Sequence, residues 1–287
     1  MKRNIKLSVI IMAFIIMSVV LGGCTKENAA DAVDKNRLDE IMERGYIEVV
    51  TEPYFAPNEF IDPSKEGEEK YVGSDIELAK YIADKLGVEL RVIPLEFSAV
   101  LSSITEGKYD LAISALSYMP SRAEAMNMSK GYHFSKNTAG HGLLIRKEND
   151  ENIKGPNDIS DKIIVAQSGS LQELLVNEQI PKYKEFKRVS SSTDGFLSVQ
   201  EGKADVCAVS IPLAQLYIDA NPDSGLMVIE GFEFEVDESL SGTRIGMPLG
   251  EDELTEKING IIDEVVSTGI YEKWHEEYKE YARKLGL

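Results

Sequence analysis

Two stretches of the chain share one pattern of helix, turn and strand, and this repeat constrains the fold more than any other feature. Residues 97–114 read F-S-A-V-L-S-S-I-T-E-G-K-Y-D-L-A-I-S, and residues 193–210 read T-D-G-F-L-S-V-Q-E-G-K-A-D-V-C-A-V-S. Each copy predicts a helix that ends at Glu-Gly-Lys, followed by an Asp and then by an apolar strand that ends on serine. Because the copies lie too far apart for a solenoid, they predict two α/β units built alike.

Helix and strand patterns also alternate through most of the remaining chain. Residues 47–50 and 163–166 predict strands, and residues 76–86 predict an amphipathic helix closed by Gly87. Such alternation favours parallel strands with helices on both faces of the sheet. We predict an α/β protein of two lobes, each a mixed, mainly parallel sheet flanked by helices. Ligands bind beyond the carboxyl ends of such strands, which places a small-molecule site in the cleft between the lobes.

The segment from Ser114 to Arg122 is the main candidate for that site. A buried-type strand precedes it, and a polar helix is predicted over residues 122–128, with Pro120 suited to a first helical position. Arg122 then lies at the positive end of the helix dipole, where a cation alone is unfavourable by roughly 0.3–1 kcal/mol. A bound anion would offset that cost, so the serines, the helix end and the guanidinium predict a carboxylate clamp. The alternative is an arginine on a solvated helix face.

A second turn of serine and glycine, residues 167–170, follows the strand 163–166 and precedes a helix that starts at Leu171. It is either an ordinary strand-to-helix turn or a second group of ligand contacts at a helix start. Phe55 and Phe97 each follow a strand, so they are predicted at the cleft edge. The alternative for both is a place in the hydrophobic core, where aromatic side chains are common.

The first 23 residues have the pattern of a secretory signal peptide. Three cations precede an apolar run over residues 7–20, and Leu-Gly-Gly-Cys follows at residues 21–24, which resembles a bacterial lipobox. We predict cleavage before Cys24, lipid attachment to that cysteine, and a polar tether over residues 24–37 on the outer face of the cell membrane. The alternative is an uncleaved anchor, although the apolar run is shorter than the roughly 20 residues of a membrane span.

Charge and residue counts exclude several classes of function. The formal net charge is −18, which argues against nucleic acid and against anionic membrane surfaces as partners. Cys24 and Cys207 are the only cysteines, and His133, His141 and His275 are scattered, so no metal site is predicted. Since the chain has no P-loop, G-x-G-x-x-G or G-x-S-x-G motif, we predict no cofactor and no catalytic residue.

Four motifs, taken together, make residues 38–285 resemble a known family. They are Y-V-G-S-D-I-E-L-A at 71–79, E-G-K-Y-D at 106–110, S-A-L-S-Y-M-P-S-R at 114–122 and T-G-I-Y-E-K at 268–273. In this order and spacing they resemble the type II solute-binding proteins of polar amino-acid ABC importers, the bacterial extracellular solute-binding proteins of family 3.

The resemblance implies two lobes joined by hinge strands near residues 133–137 and 243–247. Lobe 1 is then expected at residues 38–135 and 244–287, and lobe 2 at residues 136–243. The implied function is capture of a polar amino acid or a similar carboxylate, followed by delivery to permease subunits. We expect a monomer.

The resemblance also implies roles for individual residues around the ligand carboxylate. Arg122 matches the arginine that binds the carboxylate, and Ser117 matches its hydroxyl partner. Ala115 matches a position that contributes backbone groups. Ser170 and the N–H group of Leu171 match the contacts made by lobe 2.

Three further residues match positions that contact the rest of the ligand. Phe55 and Phe97 match two residues that sandwich the ligand side chain. Glu52 matches an acidic position that often contacts the far end of that side chain.

Ser210 is the departure from the family pattern that most affects the ligand. The family usually has an aspartate at this position to hold the ligand's α-ammonium group, and a desolvated ammonium without a charged partner is unfavourable. Glu52 takes the ammonium, or Asp194 approaches it, or the ligand is not an ordinary free amino acid. Asn58, where an aromatic is more usual, and the long segment 134–141, which carries Lys136, Asn137 and His141, also depart from the pattern.

Two other functions are compatible with the same fold. Some relatives of the family are dehydratases of aromatic amino-acid precursors, and Glu52 would then be the candidate acid. A sensory subunit that reports to a kinase is the other possibility.

Overall fold

The computed structural model describes residues 36–134 and 140–287. The predicted signal peptide, Cys24 and most of the predicted tether lie outside this part of the chain. The described helices are α1 (Arg37–Arg44), α2 (Ser74–Leu86), α3 (Phe97–Thr105), α4 (Pro120–Ala125), α5 (Leu171–Gln179), α6 (Ser192–Gln200), α7 (Ile211–Ala220), α8 (Asp252–Thr268) and α9 (Ile270–Leu285). The described strands are β1 (Tyr46–Thr51), β2 (Tyr54–Phe55), β3 (Glu59–Ile61), β4 (Tyr71–Val72), β5 (Glu89–Pro94), β6 (Leu111–Ser117), β7 (Met126–Met128), β8 (His141–Arg146), β9 (Ile163–Gln167), β10 (Glu185–Val189), β11 (Val206–Ser210), β12 (Leu226–Val228) and β13 (Thr243–Pro248).

Two five-stranded sheets follow the same plan. The first has the order β5-β1-β6-β13-β7, and the second has the order β10-β9-β11-β8-β12. In each sheet, two neighbouring pairs are parallel and two are antiparallel. The predicted α/β fold with two similar mixed sheets is confirmed, although parallel pairs do not outnumber antiparallel ones. The exact lobe boundaries stay a prediction.

The sequence repeat forms equivalent parts of the two sheets, α3–β6 in the first and α6–β11 in the second. The repeated aspartate has the same contact in both. Asp110 Oδ2 accepts the N–H of Glu48 in β1 at 2.8 Å, and Asp205 Oδ2 accepts the N–H of Ile163 in β9 at 2.8 Å. Each aspartate therefore fastens the start of its own strand to the neighbouring parallel strand.

Each sheet has hydrophobic clusters of its own. One face of the first sheet packs on α2 and α8 through residues such as Ile47 and Ile258, and the other packs on α3 through Val50 and Val100. The second sheet likewise buries one face against α5 and the other against α6 and α7. Separate cores let the two sheets keep their shape as independent bodies.

The helix predicted over residues 122–128 is wrong beyond Ala125. Helix α4 spans Pro120–Ala125, and Met126–Met128 forms strand β7, which pairs with β13. Met126 is buried in a hydrophobic cluster of the first sheet, so tertiary packing outweighs local helix propensity here. Strand β6 also runs on to Ser117 rather than ending at Ser114.

Helix α7 and a small antiparallel sheet of β2, β3 and β4 are not among the predicted elements. The three strands have only two or three residues each, which is too short for a periodic pattern. Helix α7 follows β11 without a polar loop, and its Pro212 lies in the first turn, where proline is accommodated.

The crossings between the sheets are described only in part. His133 forms an antiparallel bridge with Thr243, close to both predicted hinge segments. The rest of the first predicted crossing, including Lys136 and Asn137, lies outside the described residues. Within residues 36–134 and 140–287, no helix combines the length and apolarity that crossing a membrane requires.

Candidate functional site

The predicted site residues lie at strand ends and helix starts between the two sheets. On the first sheet, Glu52 follows β1, and Ala115 and Ser117 end β6. On the second sheet, Ser170 and Leu171 lie where β9 passes into α5, and Ser210 ends β11. Contacts between the two groups join the sheets.

Arg122 bridges the two sheets. Its Nη1 donates to the carbonyl of Ser117 at 2.7 Å, and its Nη2 donates to the carbonyl of Gly169, in the turn after β9, at 2.7 Å. The guanidinium carbon lies 5.5 Å from the centre of the Phe97 ring, within cation–π range. Only 6% of Arg122 is exposed, so it does not lie on a solvated helix face.

The guanidinium of Arg122 is buried without a negative partner. Among the ion pairs of the described residues, none involves Arg122, and its Nε has no hydrogen-bond partner. Burial lowers the pKa of Arg122 to about 10, which reflects the cost of keeping this charge away from water. A carboxylate placed here would compensate the charge and satisfy its free donors.

Glu52 forms the second contact between the sheets. Its Oε1 accepts a hydrogen bond from Nε2 of Gln167, at the end of β9, at 2.7 Å, and only 2% of Glu52 is exposed. Burial raises the pKa of Glu52 from its ordinary value of 4.5 to about 7, against the opposing effect of the Gln167 hydrogen bond. Asp194 and Glu96 raise this pKa further. The cleft therefore contains a carboxyl group that titrates near neutral pH.

The two predicted aromatic residues have different surroundings. Phe97 is buried in a cluster of the first sheet and lies beside the Arg122 guanidinium, so it belongs to the core and to the site at once. Phe55 is half-buried in β2 and packs against a hydrophobic cluster of the second sheet. Among the described residues, only Phe97 contacts another predicted site residue through its ring.

On the second sheet, the side chain of Ser170 caps a helix. Its Oγ accepts the N–H of Glu173 at 3.1 Å, which makes Ser170 the N-cap of α5. Leu171 is buried in the core of the second sheet. Ser210 precedes α7 without a side-chain cap bond and lies opposite His141 in the antiparallel register.

On the first sheet, the backbone of Ala115 is unusual. Ala115 has a φ of 46°, in the left-handed region, where a residue other than glycine is strained. Its N–H donates to Oδ2 of Asp75 at 2.8 Å. The strained conformation is therefore held by a buried carboxylate behind the cleft.

Several neighbours of the site are not among the predicted site residues. Gln167 and Gly169 supply the partners of Glu52 and Arg122 across the cleft, and Glu59 and Asp75 are buried acids behind β6. Both partners across the cleft lie in the turn 167–170 that the sequence indicated, but which residues they pair with depends on how the sheets face each other. A signal does exist for Asp75, which lies one turn before Ala79 on the buried face of α2.

Contacts within the protein occupy two polar residues that the sequence analysis singled out, Asp194 and Asn58. Asp194 forms a capping box with Ser191 at the start of α6, which occupies its carboxylate. Asn58, where the family more often has an aromatic, is buried and donates to the hydroxyl of Tyr271 at 2.9 Å.

A cavity of about 460 Å³ lies between α3 and α4 on one side and α5 on the other. Of the nine residues predicted to bind ligand, Arg122 and Ser170 line it. The region between Glu52 and Arg122 is closed by the protein's own contacts to Gln167 and Gly169. Among the described residues, no group of three or more His, Cys, Asp or Glu side chains could hold a metal ion.

Comparison with known proteins gives consistent results. The sequence matches the bacterial extracellular solute-binding proteins, family 3, over residues 47–281. It is 29% identical over 213 residues to the arginine-binding extracellular protein ArtP of Bacillus subtilis (strain 168), covering 73% of this chain and 78% of ArtP.

Two solved structures illustrate the similarity of the fold. An amino acid ABC transporter substrate-binding protein from Streptococcus pneumoniae, crystallised with L-arginine, has a TM-score of 0.75 and 27% identity, covering 86% of this chain and 98% of that protein. An ancestral amino acid-binding protein, described as a precursor of cyclohexadienyl dehydratase, has a TM-score of 0.70 and 27% identity, covering 84% and 98%.

Proposed function

Because the chain belongs to the bacterial extracellular solute-binding proteins of family 3, we propose that it captures a polar amino acid or a similar carboxylate and delivers it to the permease of an ABC importer. The observation that carries the ligand class is Arg122, a cation 94% buried between the sheets with no carboxylate partner among the described residues. A buried cation needs a negative partner, and a ligand carboxylate supplies one.

The carboxylate binds to Arg122 in a two-point contact. It replaces the carbonyls of Ser117 and Gly169, which accept from the two terminal guanidinium nitrogens at 2.7 Å. The hydroxyl of Ser117, the backbone of Ala115, the side chain of Ser170 and the N–H of Leu171 complete the contacts. Both lobes then hold one ligand group, so binding favours the closed arrangement.

The remainder of the ligand extends toward Glu52 and carries a cationic or polar group. Glu52 is a buried carboxyl whose partner, Gln167, can be exchanged for a ligand donor. The rings of Phe55 and Phe97 flank the path between Glu52 and Arg122. Several relatives are arginine-binding proteins by name, and arginine has this charge pattern.

We further propose that the mature protein is a monomer with a lipid on Cys24, held by its tether on the extracytoplasmic face of the membrane. The lobe boundaries proposed for it are residues 38–135 with 244–287, and residues 136–243. The lipobox pattern supports the anchor, and the extracellular character of the family supports the location.

A dehydratase is the second candidate, because one observation favours it. The chain is similar to an ancestral precursor of cyclohexadienyl dehydratase, and the pKa of Glu52 is raised to about 7, as suits a general acid. Turnover of prephenate by the purified protein, lost on Glu52→Gln, would establish this activity. Family membership favours the receptor.

The receptor is tested by calorimetry with a panel of L-arginine, L-histidine, L-cystine and L-glutamine. We expect Arg122→Ala to abolish binding of whichever compounds bind the wild type, because the guanidinium that pairs with the ligand carboxylate is removed. The matched control is Arg91→Ala, at an arginine of the edge strand β5 that stacks on Tyr46, which should leave affinity unchanged. Unchanged affinity in the Arg122→Ala variant would show that Arg122 does not bind the ligand carboxylate. A protein that is stabilised only by sugars or metals would contradict the proposed ligand class.

A further inference from the structure

A pair of buried acids lies directly behind the strand that ends in the proposed ligand contacts. Glu59 in β3 is 1% exposed, and Asp75 in α2 is fully buried. The proposed mechanism uses neither. Two buried carboxyl groups side by side need a physical reason, because each charge is costly away from water.

Asp75 is surrounded by hydrogen-bond donors from three other parts of the first lobe. Its Oδ1 accepts from the hydroxyl of Tyr271 in α9 at 2.6 Å, and its Oδ2 accepts from the hydroxyl of Tyr132 at 2.9 Å and from the N–H of Ala115 at 2.8 Å. All three of these groups donate to Asp75. Asp75 is therefore the acceptor in this cluster.

Glu59 has the opposite surroundings. Its Oε1 accepts from the hydroxyl of Ser114 at 3.0 Å, but no donor reaches its buried Oε2. The N–H of Asp75 donates to the carbonyl of Asn58, the residue before Glu59, at 2.8 Å. The two carboxyl groups also bond to consecutive residues of β6, Ser114 and Ala115, so they lie side by side. When Oε2 of Glu59 carries a proton, it can donate to Asp75. This hydrogen bond gives Oε2 a partner and removes the charge repulsion between the two acids.

We propose that Glu59 and Asp75 share one proton, and that this acid pair is a positioning device that holds the end of β6, with Ala115, against the hinge and the C-terminal helix. The pair connects β3, α2, β6, α9 and the segment with Tyr132, one residue before the bridge between His133 and Thr243. It also reaches β1, because the Ser114 hydroxyl accepts the N–H of Glu52 at 3.0 Å. The shared proton therefore links the proposed ligand contacts at the end of β6 to the predicted hinge near His133.

Among the described residues, the groups that face the pair are an acid, two tyrosines and, through Ser74, a histidine. Glu52 lies beyond Ser114, and Tyr132 and Tyr271 face Asp75. His275 reaches the cluster through Ser74, whose Oγ lies 3.4 Å from its Nδ1, and burial lowers the pKa of this histidine to about 4, so it is neutral near pH 7. Burial and Asp75 together raise the pKa of Glu59 well above its ordinary value.

The sign of the pH effect follows from this raised pKa. Glu59 is ionised in the unfolded chain above about pH 4.3 and stays protonated in the folded protein. The folded state therefore binds one more proton, and stability falls as pH rises from that value toward the folded pKa. Glutamine at this position keeps the shape and donates from its amide to Asp75 at every pH.

The test is thermal unfolding of the whole protein without ligand from pH 5 to pH 7. We expect the Tm of Glu59→Gln, relative to that of the wild type, to increase by roughly 3–5 °C for each unit that the pH is raised. The control is Glu124→Gln, at an exposed acid of α4, whose difference from wild type should not depend on pH. Parallel Tm curves for wild type and Glu59→Gln would overturn the shared proton.

The positioning role is tested with L-arginine as the probe, and this test rests on the proposed function. The Tm curves measured without ligand do not, so a failure of the acid pair can be told apart from a failure of the proposed function. Asp75→Asn loses an acceptor for either Ala115 or Tyr271, so we expect at least a tenfold loss of affinity at pH 6, while Glu59→Gln stays within threefold of wild type. Equal affinities in all three proteins would overturn the positioning role. If the wild type does not bind L-arginine, the proposed ligand is wrong. The Tm curves measured without ligand still show whether Glu59 and Asp75 share a proton.

Discussion

At the scale of residues, the candidate site contains a buried cation and a buried acid of the first sheet, and each bonds to a residue of the second sheet. Arg122 is identifiable in the sequence from its place after β6, and Glu52 is identifiable from the family resemblance. The turn that contains Gln167 and Gly169 is also identifiable, but its pairing with Glu52 and Arg122 is not, because a hydrogen bond across the cleft depends on the relative placement of two sheets. The sequence also does not reveal that Ala115 is strained, since alanine has no preference for a positive φ.

The titration of Glu52 predicts how binding depends on pH. A cationic ligand needs Glu52 ionised, and a pKa raised to about 7 means that binding below this pH must release a proton. We expect the affinity for L-arginine to fall as pH drops from 8 to 5, by up to about tenfold per unit below pH 7.

Calorimetry with L-arginine at several pH values checks this expectation. Glu52→Gln should bind more weakly at pH 8 and should lose the pH dependence. Control titrations with Glu124→Gln, whose acid is exposed in α4, should reproduce the wild-type profile. A wild-type affinity that is constant from pH 5 to pH 8 would contradict the role of Glu52 at the cationic end.

At the scale of elements, the repeat predicts the two central α-to-β units correctly because it combines local signals that do not need tertiary context. Gly107 and Gly202 end the two helices with positive φ values of 67° and 73°, and the following aspartates fasten the strands. Strand β7 is the opposite case. Its three residues continue a helical pattern, and only pairing with β13, more than 100 residues later, makes them a strand.

The turn from β4 into α2 has no room for a side chain at Gly73. This glycine has a φ of 130°, and a Cβ atom there would lie 2.1 Å from the carbonyl oxygen of Asn58. We expect Gly73→Ala to lower the free energy of unfolding by roughly 2–4 kcal/mol, since backbone atoms must move. Gly87→Ala, at a helix end with a φ of 71° and open space, should cost only about 1–2 kcal/mol. Urea unfolding of both variants measures the difference, and equal losses would contradict the steric reason.

At the scale of the whole molecule, the two sheets touch through side chains that the proposed ligand would displace. Two hydrogen bonds of 2.7 Å each, from Gln167 to Glu52 and from Arg122 to the carbonyl of Gly169, join the two sheets. Apolar packing also joins the two halves, since Leu216 of α7 lies in one buried cluster with Phe60 and Val72. The two polar contacts are the ones that a ligand can exchange, which suits an equilibrium between open and closed arrangements.

Removing one of these contacts should shift that equilibrium. We expect Gln167→Ala to increase the radius of gyration of the ligand-free protein in X-ray scattering, because Glu52 loses its partner on the second sheet. Gln215→Ala, at an exposed glutamine of α7 whose amide donates to Asp219, is the control and should leave the scattering curve unchanged. A wild-type scattering curve for Gln167→Ala would show that this contact does not hold the lobes together.

The position of β13 has a consequence for the order in which the protein can fold. This strand lies between β6 and β7 in the first sheet, yet it is residues 243–248, whereas all strands of the second sheet come from the continuous stretch 141–228. During synthesis from the amino terminus, the second sheet therefore has its full set of strands while the first, begun earlier, still lacks an internal one. The half of the molecule that emerges first from the ribosome is the half that is completed last.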